Sequence, residues 1–149
     1  MLAEALREFA GRGTEASVRR QDLKRVLDLL KDDEVAADPA QSGPAASLHA
    51  LLHSYFALDE DAFRERFRGR AIQRAKRDGL LRNACVVAGN AGEASLLPAL
   101  ARLAAHDSAL VRAHAVWAVR RIAGAGAGEW LAAAREKETD AAVLAEYAN

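Results

Sequence analysis

Asp107-Ser108-Ala109-Leu110-Val111-Arg112-Ala113-His114-Ala115-Val116-Trp117-Ala118-Val119-Arg120-Arg121-Ile122-Ala123-Gly124 reads as one helix between two breaks. Val111, Ala115, Ala118, Val119 and Ile122 recur at three- and four-residue steps, the spacing of one buried helical face. Asp107-Ser108 precedes the run, and Gly124 follows it, where glycine accommodates the left-handed residue past a helix end. The run also has a copy. Leu81-Arg82-x-x-x-Val86-x-Ala88 lies 30 residues before Val111-Arg112-x-x-x-Val116-x-Ala118, and Ser108-Ala109-Leu110-Val111 lies 32 before Asp140-Ala141-Ala142-Val143. A period near 30 built of helices and polar turns predicts stacked helical hairpins, each needing a neighbour to bury its apolar side.

Neighbouring segments follow the same logic. Ser47 is expected to cap a helix holding Leu48, Leu51, Leu52, Tyr55 and Phe56, and Asp59 a short one bearing Phe63 and Phe67, ended by Gly69. A helix over about 80–88 is expected to break at Gly89-Asn90-Ala91-Gly92. Another covers about Ser95–Ala105 with Pro98 in its first turn, where a missing N–H costs little. Gly124, Gly126 and Gly128 predict a flexible turn, and Thr139-Asp140 an N-cap. Towards the start, Leu2–Ala10 and a helix reaching about Lys31 are expected, then an acidic and Pro/Gly-containing linker to Pro44. The domain reading is therefore a helical segment and linker over 1–44 and a repeat domain over 45–149.

Composition narrows the class. Of 149 residues 51% are hydrophobic and only 5% aromatic. Thirty-six residues are alanine and two isoleucine, a balance for closely packed helices rather than a sheet. No 18-residue apolar run is present to span a membrane, and the N-terminus lacks the basic and apolar regions of a signal peptide. A single cysteine, Cys85, cannot form an internal disulfide, which fits a reducing cytoplasm. Pattern and composition together predict an all-α fold of helical-hairpin repeats, an α-solenoid. The Asp107–Gly124 unit resembles the short HEAT-like repeat, although its period is shorter than the ~40–47 residues of standard HEAT units.

No catalytic set emerges. His49 and His53 stand at i, i+4 but lack a third ligand or an adjacent glutamate, so they read as polar surface residues. His106 and His114 fall in a turn and a repeat helix, and Cys85 in an apolar stripe with no histidine to activate it. Asp59-Glu60-Asp61 suits a helix N-terminus. Gly124-Ala125-Gly126-Ala127-Gly128 lacks the strand and Lys-Ser/Thr ending of a phosphate loop.

The formal net charge is zero, with 21 Lys+Arg against 21 Asp+Glu, but it is unevenly spread. Residues 64–82 hold eight cationic side chains (Arg64, Arg66, Arg68, Arg70, Arg74, Lys76, Arg77, Arg82) against Glu65 and Asp78, a local +6 between acidic ends. Arginine forks onto phosphate better than lysine, so the cluster suits a polyanion, recognised for RNA largely through backbone and shape. A solvated helix face is the plainer alternative.

The segment Phe63-Arg64-x-x-Phe67-x-Gly69-x-x-Ile72-x-Arg74-x-x-Arg77-Asp78-x-Leu80-Leu81-Arg82-Asn83-Ala84-x-x-x-Ala88-Gly89-Asn90-x-Gly92 resembles the region joining catalytic and C-terminal parts in the epoxyqueuosine reductases. Leu97-Pro98, Val111-Arg112-x-His114-Ala115-Val116-Trp117-Ala118 and Glu138-Thr139-Asp140 resemble that family's C-terminal HEAT-like region, so the resemblance covers about residues 58–149. It implies a helical domain that helps to hold a tRNA, with Arg68, Arg74, Arg77, Arg82 and Asn83 at matching positions, and Arg70 adding charge where the family tends to a small residue. The family's reductase chemistry uses cobalamin and two 4Fe–4S clusters. With one cysteine here, outside any cysteine run, no cofactor is expected in this chain and catalysis is expected from another. The alternatives are a protein-interaction scaffold and a subunit completing a separately encoded catalytic half.

Overall fold

The computed structural model describes residues 44–149. The expected elements over 1–43 lie outside the described residues. Every regular element among the described residues is helical: α1 Pro44–Phe56, α2 Glu60–Arg66, α3 Lys76–Ala91, α4 Leu97–Leu103, α5 Ala109–Ala123, α6 Ala127–Lys137 and α7 Ala141–Ala148, with short 3-10 turns at Ala71–Ala75, Ala94–Leu96 and Gly124–Gly126.

Two series of helices contact one another in chain order. One runs α3, α5, α7 and the other α1, α4, α6. Helix α5 touches α3, α4, α6 and α7, which places its apolar face at the centre of the molecule. Val111, Ala115, Val116, Ala118 and Val119 of α5 are buried there with Leu81 and Val87 of α3, Leu100 of α4 and Val143 of α7. Alanines at 84, 88, 115 and 118 are buried in the same core, where a small side chain lets helix backbones approach.

Asp59 and Asp140 cap as expected, whereas the side chain of Ser108 makes no capping hydrogen bond at the start of α5. Asp59 Oδ1 accepts from Ala62 N at 2.7 Å at the start of α2, and Asp140 Oδ1 accepts from Ala142 N at 2.9 Å and Val143 N at 3.2 Å at the start of α7. Asp140→Ala should therefore lower stability by ~1 kcal/mol in urea unfolding, the usual effect of a lost N-cap. Gly92 ends α3 in the left-handed region at φ 72°, donating to the Ala88 carbonyl.

Three sequence expectations are corrected. Ser47 lies inside α1, which starts three residues earlier, at Pro44. Gly89 does not break α3, which continues to Ala91. A Cβ at Gly89 would stand 2.5 Å from Trp117 Cζ3 and 3.2 Å from Ala118 Cα, so this glycine serves the approach of α3 to α5. Gly128 lies within α6, and Gly124–Gly126 form a 3-10 turn leading into it.

Candidate nucleic-acid interface

The arginines of segment 64–82 fall into distinct groups. Arg66 is turned onto the fold: its Nη1 donates to Ser54 Oγ at 3.1 Å, and its guanidinium lies 5.0 Å from the Tyr55 ring centroid and 5.5 Å from that of Phe67. Tyr55, Phe63 and Phe67 are themselves buried, so α2 is anchored on α1 by aromatic packing. Arg77 is half-buried, and its Nε donates to the Leu58 carbonyl at 2.8 Å, tying the start of α3 to the α1–α2 turn. Arg82 donates from Nε (3.0 Å) and Nη2 (2.7 Å) to Oδ1 of Asn83, which is 2% exposed. Arg77, Arg82 and Asn83 thus make contacts within the fold.

Arg64, Arg68 and Arg74 face solvent. Arg68 is 78% exposed and pairs with Glu65 on its own turn. Arg64 is 68% exposed and approaches Glu60 at 3.4 Å. Exposed pairs of this kind contribute little and exchange readily for another anion. Arg70 is half-buried at the start of the 3-10 turn, where its N–H donates to the Phe67 carbonyl at 3.0 Å. Lys76, also exposed, has φ 58° and ψ 170°, a backbone region that suits glycine and costs a side-chain-bearing residue ~1–3 kcal/mol. This strained residue joins the 3-10 turn carrying Arg74 to the helix carrying Arg77. Ile72, buried at 4% exposure, pins the turn to the core, so the basic segment is folded rather than a tail.

A charge count could not find the strongest polar constellation, which lies elsewhere. Arg112 forms a two-pronged pair with Glu138, Nε to Oε2 at 2.7 Å and Nη2 to Oε1 at 3.1 Å, with the side chains 19% and 2% exposed. Arg112 Nη1 also donates to the carbonyls of His106 and Asp107, both at 2.9 Å. Glu138 Oε1 accepts from the backbone N–H groups of Thr139 and Asp140. The Arg112 hydrogen bond, assisted by those two N–H groups and the arginine charge, holds the Glu138 carboxyl below the usual carboxylate range despite its burial. His106 is shifted down by burial first and by Arg77 and Arg112, against the opposing pull of Asp78 and Asp107. Its Nδ1 accepts from Ser108 N at 3.0 Å, as a neutral imidazole can. The constellation locks the turn before α5 to the turn before α7.

Cys85 is fully buried, and burial pushes its thiol well above the usual range. Among the described residues no group of three or more His, Cys, Asp or Glu is placed to hold a metal ion. One cysteine also cannot supply the thiolate set of a 4Fe–4S cluster. Among the described residues no helix is long and apolar enough to cross a membrane.

Fold and surface together define an all-helical domain bearing a folded, arginine-rich segment. Among curated proteins, part of the chain is similar to epoxyqueuosine reductase of Xanthomonas campestris pv. campestris, 44% identical over 71 residues. That match takes in 47% of this chain and 20% of the reductase, so the chain spans about a fifth of the length of the curated relative it matches. No family profile and no solved structure matches the chain.

Proposed function

We propose that this chain is a HEAT-like helical module that binds tRNA through its phosphate backbone, a counterpart of the C-terminal part of the epoxyqueuosine reductases, acting in queuosine biosynthesis in the cytoplasm without a catalytic set of its own. The observation that carries the proposal is the +6 segment 64–82, folded onto the helical core with Arg64, Arg68, Arg74 and Lys76 exposed. The partial identity with the reductase supports the choice of tRNA over other polyanions. Within the segment, Arg68, Arg70 and Arg74 contact phosphates, while Arg77, Arg82 and Asn83 hold its shape. Each phosphate neutralised releases condensed counterions, so affinity falls steeply with salt.

The test is tRNA binding across a salt series for the full chain and for Arg68→Glu/Arg74→Glu. The expected result is an affinity loss of at least ~10-fold and a log–log salt slope shallower by about 2. Binding that ignores both salt and the two substitutions overturns the proposal. A second reading is a subunit that completes a separately encoded catalytic half. Nuclease-resistant co-purification with a cysteine-rich protein distinguishes it.

A further inference from the structure

Among the described residues Lys76 is the one non-glycine residue with positive φ. Glycine holds the other positions of this kind, Gly69, Gly92 and Gly124, so lysine stands here where glycine would be unstrained. The conformation is imposed from both sides. Before Lys76, Ile72 is buried in the core and the Lys76 N–H donates to the Gln73 carbonyl. After it, Arg77 Nε donates to the Leu58 carbonyl at 2.8 Å, and Leu80 and Leu81 are buried. A Cβ at Gly79 would stand 3.2 Å from that of Ala75, so the 3-10 turn also lies close against the first turn of α3. Strained backbone persists only where its surroundings fix it, and it clusters at functional sites. Within the fold the Lys76 side chain does nothing to offset that strain. It is exposed, and among the described residues neither its ammonium nor the Arg74 guanidinium has a hydrogen bond or ion pair. Arg64 and Arg68, by contrast, face glutamates, and Arg66, Arg77 and Arg82 donate to the fold. Two exposed cations two residues apart, with no carboxylate at ion-pair distance, favour an anion from outside.

On the tRNA-binding reading above, we propose that Lys76 is a further phosphate contact, and that the strained link between the 3-10 turn and α3 is kept for it. The link holds the ammonium in solvent two residues from Arg74, at a cost in stability that glycine would remove. Stability and binding are thereby opposed at a single residue. That opposition separates a contact from an ordinary surface lysine, whose removal leaves the fold and the affinity where they were.

Thermal unfolding of the free full chain, with anisotropy titration of labelled tRNA across a salt series, tests the assignment. Lys76→Gly should raise the melting temperature by at least ~2 °C, because the strain relieved exceeds the extra freedom of glycine in the unfolded chain. The same variant should weaken tRNA at least ~3-fold, with a log–log salt slope shallower by about 1. Lys76→Ala keeps the strain and removes the ammonium, so it should weaken tRNA similarly without the gain in melting temperature. Lys76→Arg should keep both close to the native values. Lys137→Ala, which removes the same charge from the end of α6, should leave affinity within about 2-fold of native. Affinity that survives both Lys76→Gly and Lys76→Ala, in a chain that Arg68→Glu/Arg74→Glu still weakens, overturns the role of Lys76 alone. Absence of tRNA binding by the native chain overturns the tRNA reading and this contact with it. A Lys76→Gly protein no more stable than the native one, or an equal loss of affinity in Lys137→Ala, also overturns the proposal.

Discussion

Replacing Glu138 by alanine is expected to remove ~3–5 kcal/mol of stability, the range found when one partner of a buried ion pair is deleted. The loss is large because Arg112 stays behind, four-fifths covered, with its charge uncompensated. The N–H groups of Thr139 and Asp140 lose their acceptor at the same time, loosening the entry to α7. Glu138→Gln keeps an oxygen for those N–H groups and should cost less. The sign of the pH dependence follows from the depressed carboxyl. Its contribution is complete above the unfolded glutamate pKa, about 4.3, and is lost as pH falls through the lower folded value. Urea unfolding across pH should show a constant gap between the native protein and Glu138→Gln above about pH 5, closing below about pH 4. A gap that persists unchanged into acid would refute the pair's role.

Gly89→Ala is expected to destabilise although alanine is the better helix former. The propensity gain is about 1 kcal/mol. Against it, the new methyl would stand 2.5 Å from the Trp117 ring and 3.2 Å from the backbone of Ala118. The ring can turn, but Ala118 is fully buried in α5, so part of the strain falls on the helix axes. Overpacking of this kind costs ~1–3 kcal/mol, so the net change should be a loss, and Gly89→Val should lose more. Trp117→Ala in the same chain should recover part of the Gly89→Ala loss. A double-mutant cycle measures that coupling, and strict additivity would show that the two helices do not meet as described.

These two sites mark what could be read from one dimension. Helix α5 was legible to its end residues because its apolar period, its polar start and Gly124 all agree. Asp59 and Asp140 were legible as caps because capping is local. Gly89 reads as a breaker in sequence because a glycine that turns a chain and a glycine that admits a neighbouring ring look alike without the neighbour. Arg112 stands at the repeat position of Arg82, and nothing local marks it out. Its partner lies 26 residues away, a distance no local pattern encodes. The basic segment was legible as charge but not as direction: Arg66, though exposed, and Arg77 each give a donor to the fold, while Arg68 and Arg74 face water. Counting charges identifies a region; which of them can meet a phosphate depends on the packing of Tyr55, Phe67 and Ile72 beneath.

The sealed position of Cys85 makes the protein its own stopwatch. A neutral thiol with no solvent contact cannot be alkylated where it stands, and there is one cysteine in the sequence. Every labelling event therefore records an opening of α3 away from the core. When closing outpaces alkylation, the labelling rate divided by that of a free thiol gives the equilibrium fraction open. The chain thus reports how often its central helices part, with no engineered probe, in the presence or absence of anything that binds it.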